Sequence, residues 1–352
     1  MAEVRPFAAL RYDEAKAGAL ADLVAPPYDV LSDQQRREYL ERSPHNVVHL
    51  TLPDSEEEAA RDFAAWQEEG VLVGEEPAFW ALEQEYVGPD GVARIRRGIV
   101  ASLRAEPYER GVVLPHERTH SEVRKGRLRL VQAVGAQLEP IFLLYEGLPP
   151  VSRPDGEPDL EVEGTRLWRL AEVDAIVDAF ADRQLLIADG HHRYETTVEY
   201  ASQGGSPWLM VVLVSTTDPG LTIFPTHRIA GRYEPSGKLS QAEGGPAEAL
   251  ERLPAGRAAV VVYAGGRTFV AEDGSQPDTA FVESLGPEDV RYTADLQEAV
   301  AAVDGGDAQA AFLLRPTPIE QVFEVAQRGD VMPQKSTYFF PKLLSGLLLH
   351  PL

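Results

Sequence analysis

Short apolar runs alternate along this chain with stretches in which apolar residues recur at helical spacing. At the centre, Leu185, Leu186 and Ile187 form an apolar run that fits a buried strand. Residues 174–183 before this run and residues 194–201 after it carry apolar side chains at helical intervals. The pattern predicts helix, strand and helix in succession, so residues 188–193 fall on a strand-to-helix turn.

The same pattern predicts a mixed α/β (α+β) fold for the whole chain. Strands are predicted at residues 4–10, 47–52, 78–87, 92–103, 141–145, 208–215 and 221–224, and helices at 13–23, 55–69 and 125–137. At residues 233–254 the composition shifts to Gly, Ala, Glu and Pro, which marks the best candidate for a domain boundary.

Three parts are therefore predicted along the chain. Residues 1–232 form a core that carries most of the candidate site residues, residues 255–330 form a smaller α/β segment, and residues 331–352 form a tail that returns to the core. The smaller segment is predicted to contain a hairpin at 258–263 and 267–271, helices at 296–303 and 319–327, and a strand at 310–314.

The central turn holds residues that suit an anionic ligand. Gly190 lets the backbone approach a ligand closely, and His191, His192 and Arg193 place donors at a helix N-terminus, which itself carries a partial positive charge. Three possible cations in a row oppose the helix dipole, so their presence favours a bound anion. The alternative is a plain turn in which Asp189 caps the helix and the basic residues face solvent.

Two other loops carry chemically suitable residues. Pro26 and Pro27 stiffen a loop that ends at Asp29, although a helix-capping turn is an equally good interpretation there. Residues 116–120 read His-Glu-Arg-Thr-His, which matches the letters of the zinc-protease signature. That signature needs an unbroken helix, whereas Pro115 directly precedes the first histidine and leaves only a first turn.

Later in the chain, further basic residues follow short strands or interrupt the helical pattern. His227 and Arg228 come directly after a short predicted strand, where Arg can hold an oxyanion bidentately, and a satisfied surface pair is the alternative. Lys335 and Lys342 lie in the tail and can meet a phosphate as point charges.

Composition narrows the range of partners. The formal net charge of −23 at pH 7 repels nucleic acid and anionic membranes. The sequence contains no cysteine, which excludes disulfides and thiolate metal sites. No apolar run approaches the ~20 residues of a membrane span, and the first residues lack a signal-peptide core. We therefore expect a cytoplasmic protein with a small anionic ligand, while its oligomeric state is not indicated.

Five separated motifs carry a resemblance to a known family. They are APPYDV at residues 25–30, HERT at 116–119, ADGHHRYET at 188–196, PTHR at 225–228 and MPQKSTYFFPK at 332–342. In this order they resemble the domain of unknown function 1015 family of bacteria and archaea. The DGHHR box is similar to the basic box of the ParB and sulfiredoxin superfamily, where a Gly turn with His and Arg holds nucleotide phosphates. The resemblance implies a ParB/sulfiredoxin-like core.

That superfamily includes free-serine kinases of archaea, so the resemblance implies phosphoryl transfer from a nucleotide or pyrophosphate to a small hydroxylated metabolite, with free serine as the named candidate. Asp29, Glu117 and Asp189 would share the role of base, with Mg²⁺ held by Glu117 and Asp189, and the division of these roles stays open. The implied phosphate contacts are Gly190, His191, His192, Arg193, His116, His227, Arg228 and Lys335. A metal-dependent hydrolase built on His116, Glu117 and His191, and a nucleotide-binding module without turnover, are the alternatives.

Overall fold

The computed structural model describes residues 2–235, 239–273 and 277–352. Within these residues the strands are β1 (Val4–Arg5), β2 (Leu10–Tyr12), β3 (Leu72–Gly74), β4 (Phe79–Val87), β5 (Ala93–Arg104), β6 (Val113–Leu114), β7 (Ala136–Gln137), β8 (Ile141–Tyr145), β9 (Leu160–Val162), β10 (Thr165–Leu170), β11 (Leu185–Asp189), β12 (Trp208–Ser215), β13 (Thr222–Phe224), β14 (His227–Arg232), β15 (Ser240–Gln241), β16 (Ala258–Ala264), β17 (Arg267–Asp273), β18 (Glu288–Thr293), β19 (Ala310–Leu313), β20 (Tyr338–Phe340) and β21 (His350–Pro351).

The helices complete a mixed α/β fold, as the sequence pattern predicts. They are α1 (Glu14–Ala17), α2 (Leu20–Leu23), α3 (Asp33–Arg42), α4 (Val48–Thr51), α5 (Glu56–Glu68), α6 (Ser121–Val134), α7 (Val173–Phe180), α8 (His191–Ser202), α9 (Pro246–Glu251), α10 (Asp278–Ser284), α11 (Leu296–Asp304) and α12 (Ile319–Gln327), with single 3-10 turns at Tyr28–Val30 and Tyr108–Arg110. Among the described residues, no helix has the length and apolar character needed to cross a bilayer.

Contacts divide the chain into two compact units. Unit 1 comprises Met1–Val87, Ala93–Leu221 and Pro341–Leu352, and unit 2 comprises Gly88–Val92 and Thr222–Phe340. The chain therefore leaves unit 1 after Leu221 and returns to it at Pro341. The final segment, Pro341–Leu352, is a part of unit 1 that is encoded after unit 2.

Unit 1 is built on a nine-stranded mixed sheet with the order β6-β11-β8-β12-β5-β4-β10-β9, in which β1 also pairs with β5. Strand β11 runs parallel to β6 and antiparallel to β8, and β8 runs parallel to β12. All five residues of β8 are buried, which means that both faces of the sheet are covered at this position. The apolar run that predicts β11 is buried in the same way, and it ends at Asp189.

Unit 2 contains a six-stranded sheet with the order β15-β17-β16-β19-β14-β18, together with the pair β13 and β20. Successive residues of β16 face opposite sides of this sheet. Val260 belongs to a buried cluster with Phe281 of α10, and Val261 belongs to a second cluster with Ala299 of α11. Helices α10 and α11 therefore cover opposite faces, and the predicted hairpin, strand and helices at residues 258–327 are confirmed.

One predicted strand, at residues 47–52, is wrong, because this stretch contains helix α4. The Asn46 side chain accepts a hydrogen bond from the backbone N–H of Val48 at 3.0 Å and so starts a turn. Val47, Val48 and Leu50 are all buried. A short apolar run that is buried on every side lacks the periodicity that separates a strand from a helix.

Candidate functional site

The predicted strand-to-helix turn is present between β11 and α8. Gly190 occupies the N-cap position of α8 with φ +100°, a left-handed conformation that favours glycine, and makes no side-chain cap. A Cβ at this position would lie 2.5 Å from Cγ2 of Ile141, in strand β8. Glycine is therefore required by both the backbone angle and the close packing, and it leaves the N-terminus of α8 without a side-chain acceptor.

Asp189, the last residue of β11, binds two cations from different parts of unit 1. Its Oδ2 accepts a hydrogen bond from Arg193 at 2.8 Å, one turn into α8. Its Oδ1 accepts from the amine of Lys342, which lies in the final segment Pro341–Leu352. Burial by itself would raise the pKa of Asp189, but Lys342 and Arg193 outweigh it and lower this pKa to about 2. The three groups carry one net positive charge.

His116 and His191 form a buried pair of neutral imidazoles beside Asp189. Their ring centroids lie 4.7 Å apart in an edge-on arrangement. The backbone N–H of His116 donates to Nε2 of His191 at 3.3 Å, and Nδ1 of His116 lies 2.7 Å from the carbonyl of Ile187, to which it must donate. Burial lowers the pKa of His116 to about 4 and lowers the pKa of His191 well below its ordinary value. Neither ring is a cation at pH 7.

The loop of residues 116–120 is attached to the first turns of α8. Besides the contact between His116 and His191, the backbone N–H of His120 donates to Nε2 of His192 at 2.9 Å. The hydroxyl of Thr119 donates to the carboxylate of Glu195 at 2.5 Å. Three acceptors on one helix therefore fix this loop, and His191 and His192 act as acceptors through Nε2.

The same loop presents Glu117 beside the neutral imidazole pair. Its carboxylate lies 4.0 Å from Nε2 of His116, and its side chain is 24% exposed. Helix α6 begins only at Ser121, so the prediction that residues 116–120 do not form a continuous helix is confirmed. The zinc-protease arrangement of two histidines on one helical face is therefore not formed by this motif.

Asp29 lies on the 3-10 turn that follows Pro26 and Pro27, and its side chain is exposed. The turn is anchored by Glu139, whose carboxylate accepts from the backbone N–H of Tyr28 at 2.9 Å. Burial lowers the pKa of Lys342, but Asp189 and then Asp29 raise it by a larger amount. Asp29 is thus within electrostatic reach of the cation that binds Asp189.

Three predicted phosphate contacts, His227, Arg228 and Lys335, belong to unit 2. His227 accepts a hydrogen bond through Nδ1 from the backbone N–H of Leu314 at 3.1 Å, and burial lowers its pKa to about 4. Arg228 donates to the carbonyls of Thr226 and, at 3.2 Å, Lys335. Lys335 itself has φ +56°. The assignment of His227, Arg228 and Lys335 as phosphate contacts stays a prediction.

The residues predicted to hold magnesium do not fit a metal held by the protein alone. Both carboxylate oxygens of Asp189 already accept from cations, and a divalent ion would be repelled by Lys342 and Arg193. Among the described residues there is no group of three or more histidine, aspartate or glutamate side chains placed to bind a metal. A magnesium role for Glu117 and Asp189 stays a prediction.

Sequence reasoning missed several residues that shape the site. Glu195 lies four residues after His191 on the same face of α8, and that spacing alone could have identified it. Glu139 and Arg96 are buried charged residues with hydrogen-bond partners in distant parts of the chain. Glu139 lies between a predicted helix and a predicted strand, Arg96 lies within a predicted strand, and neither position indicates those partners.

The similarity of this chain to solved structures is limited. A conserved hypothetical protein from Pyrococcus furiosus has 15% identity and a TM-score of 0.38, with 67% of this chain and 92% of that chain covered. A free serine kinase in complex with AMP has 16% identity and a TM-score of 0.42, with 67% and 89% covered. SbnI with C-terminal truncation from Staphylococcus aureus has 12% identity and a TM-score of 0.32, with 68% and 84% covered.

Sequence comparison with curated proteins gives no match. A family model described as a protein of unknown function, DUF1015, matches residues 4–273, which is more than half of the chain. The match includes the loops that carry Asp29 and Glu117 as well as the turn at Asp189, and Lys342 lies beyond it. The chain belongs to the DUF1015 family.

Proposed function

We propose that this protein transfers a phosphoryl group from a nucleotide or pyrophosphate to a small hydroxylated metabolite, with free serine as the first acceptor to test. One observation carries the proposal. The HERT loop and the ADGHHRYET turn meet at the uncapped N-terminus of α8, where Lys342 binds Asp189.

The charges at this point favour an anion of phosphate type. Asp189, Arg193 and Lys342 carry one net positive charge, and the N-terminus of a helix of this length adds a partial positive charge. The free N–H groups of a first turn suit phosphate oxygens. The neutral imidazole of His191 accepts through Nε2 and so keeps an Nδ1–H donor that adds no charge, whereas the one N–H of His116 is bound to the carbonyl of Ile187. The site therefore attracts one small anion, whereas the acidic chain as a whole repels polyanions.

The reaction needs a base for the acceptor hydroxyl. In the proposed step the hydroxyl oxygen bonds to the terminal phosphorus, the bond from that phosphorus to its bridging oxygen breaks, and the leaving phosphate takes the bond electrons. The hydroxyl proton passes to a carboxylate. Asp29 and Glu117 are the accessible carboxylates, whereas Asp189 has its oxygens bound to cations. Magnesium bound to the nucleotide would neutralise phosphate charge.

The test is incubation of the protein with ATP, ADP or pyrophosphate, magnesium, and a pool of hydroxylated metabolites that includes serine, followed by ³¹P NMR and mass spectrometry. We expect a phosphorylated metabolite with at least one donor, and loss of product in Glu117→Gln or Asp29→Asn. Glu122→Gln and Asp33→Asn, two exposed carboxylates close in sequence, serve as matched controls that retain activity. Absence of product with every donor would contradict the proposal.

The metal-hydrolase alternative receives no support from the geometry of the HERTH loop. Binding without turnover would show as nucleotide affinity in a protein that gives no product with any donor. The same incubation, combined with a binding measurement, therefore separates an enzyme from a binding module.

A further inference from the structure

The two cations on Asp189 differ in how firmly they are held. Arg193 has a side chain that is 7% exposed, and its guanidinium also donates to the carbonyl of Pro140 at 2.5 Å. Lys342 has a side chain that is 23% exposed and carries its charge on a flexible four-carbon stem. Arg193 is therefore a fixed partner of Asp189, and Lys342 is the partner that can exchange a carboxylate oxygen for an oxygen of a ligand.

The backbone on both sides of Lys342 is anchored to residues of unit 1. On one side, the carbonyl of Pro341 accepts from the guanidinium of Arg96 at 2.7 Å. On the other side, Ser345 forms two backbone hydrogen bonds with Ala25, at 2.8 and 3.2 Å, and its hydroxyl donates to Glu139. Ala25 begins the motif that contains Asp29. The position of the lysine is thus set by the same framework that sets the candidate base.

Arg96 is a fully buried arginine, the fourth residue of strand β5, and burial of its charge carries a large desolvation free energy. Besides Pro341, it donates to the side-chain oxygen of Gln84 at 2.6 and 3.2 Å, and it stacks on the ring of Phe142 at 4.5 Å. The planar guanidinium is thereby held in one orientation, with one of its nitrogens directed at the residue that precedes Lys342. The bonds to Pro341 and Gln84 are among the contacts that offset the desolvation of this buried charge.

From these contacts we infer that Lys342 is the residue that binds the phosphoryl oxygens of pyrophosphate or of a nucleotide's terminal phosphate, and that Arg96 is a positioning residue that holds Lys342 in place. The ligand oxygen takes over the ammonium from Asp189, which stays bound to Arg193. No covalent bond changes in this exchange. The final segment is then a functional part of the site, although the family match ends at residue 273. The inference rests on the proposed phosphoryl-transfer function.

The experiment is calorimetric titration of the full-length protein with inorganic pyrophosphate and with ADP. We expect Lys342→Met to weaken binding about tenfold to a hundredfold, as loss of one charge-assisted contact does, and Lys342→Arg to retain part of the affinity. Lys125→Met is the matched control, because Lys125 is exposed and pairs with Glu122, and its affinity should equal that of the original protein. Unchanged affinity in Lys342→Met would overturn the inference and leave the proposed function standing.

Arg96 is tested by a double-mutant cycle. We expect Arg96→Lys to weaken pyrophosphate binding severalfold in the original protein and to have no further effect in the Lys342→Met background, because it acts through Lys342. An equal loss in both backgrounds would mean a general structural role and would overturn the positioning assignment. If the unaltered protein binds neither pyrophosphate nor any nucleotide, the proposed function fails and the inference fails with it.

A second measurement does not depend on any substitution. Lys342 is one of five lysines in the sequence, so reductive methylation can be followed at each lysine by mass spectrometry. Pyrophosphate should change the modification rate at Lys342 and leave the rate at Lys125 unchanged. The same rate at Lys342 with and without pyrophosphate, under conditions where binding is saturated, would overturn the inference.

Discussion

A histidine followed by an arginine occurs at two turns of this protein, His192-Arg193 in unit 1 and His227-Arg228 in unit 2, and the two pairs have different surroundings. In unit 1 the pair contacts a carboxylate, Asp189, and a backbone N–H from the HERTH loop. In unit 2, His227 accepts from the backbone N–H of Leu314, and Arg228 donates to the carbonyls of Thr226 and Lys335. The dipeptide alone therefore does not define a phosphate site; the nature of its partners decides its chemistry.

The two arginines give the largest expected contrast. Arg193→Ala removes one partner of a buried ion pair and should cost about 3 kcal/mol of unfolding free energy, whereas Arg228→Ala removes hydrogen bonds to carbonyls and should cost about 1–2 kcal/mol. In urea unfolding, tryptophan fluorescence measures the cost of Arg193→Ala, because all four tryptophans lie in unit 1, and circular dichroism, which also reports on unit 2, measures the cost of Arg228→Ala. An equal cost for the two substitutions would remove the distinction between the pairs.

Pyrophosphate titration of Arg228→Ala directly tests the sequence-based assignment of Arg228 as a phosphate contact. Weaker binding would support Arg228 as a phosphate contact. Unchanged affinity in a folded variant would exclude it from the ligand site.

Acid pH should destabilise unit 1 through its buried imidazoles. The pKa of His116 is lowered by burial to about 4, from about 6.5 in an unfolded chain. Between these values the unfolded state binds a proton that the folded state does not, so stability falls as the pH falls from 6.5 towards 4. The expected loss from His116 between pH 7 and 5 is about 2 kcal/mol.

The matched variant for this experiment is His116→Asn, whose amide can still donate to the carbonyl of Ile187. Tryptophan-monitored unfolding at several pH values should give a flatter pH dependence for this variant. His227→Asn, in unit 2, should leave the tryptophan signal of unit 1 with its original pH dependence. An unchanged slope in His116→Asn would mean that this histidine is not the titrating group.

The smallest expected difference in stability is between substitutions of two threonines, Thr119 and Thr226, each of which directly precedes a histidine. Thr119 donates to the charged carboxylate of Glu195, so Thr119→Val should cost about 1 kcal/mol. The buried hydroxyl of Thr226 has no hydrogen-bond partner among the described residues, so Thr226→Val should be neutral or slightly stabilising. Thermal unfolding measures both. If Thr226→Val is destabilised, the hydroxyl of Thr226 forms a hydrogen bond in the native protein.

Local patterns were sufficient to predict the elements that carry the central turn. Apolar spacing around Leu185 predicts β11 and α8, and Pro115 correctly indicates that the HERTH segment does not form a continuous helix. Where the pattern was ambiguous it failed: residues 47–52 form a helix, and the single helix predicted at 13–23 is interrupted at Gly18, which has φ +99°.

The contacts within the site could not be predicted in the same way. The pairing of Asp189 with Lys342 joins residues that are 153 positions apart, and the bond from Arg96 to Pro341 joins residues 245 positions apart. Such long separations are not part of any helical or strand periodicity. The sequence around Arg96 also does not indicate which residue accepts its hydrogen bond. Only the sheet order of unit 1 and the return of the chain at Pro341 place these groups together.

The position of unit 2 within the sequence of unit 1 has a consequence for synthesis on the ribosome. Translation of Thr222–Phe340, about 120 residues, takes roughly 6–24 s at about 5–20 residues per second. During that interval unit 1 lacks the buried leucines of its final segment that line a small apolar cavity together with Leu82, Val100 and Met210 of the sheet. The nascent chain therefore exposes apolar surface until residues 341–352 emerge, and we expect it to need a chaperone at that stage more than a protein whose domains follow one another in sequence.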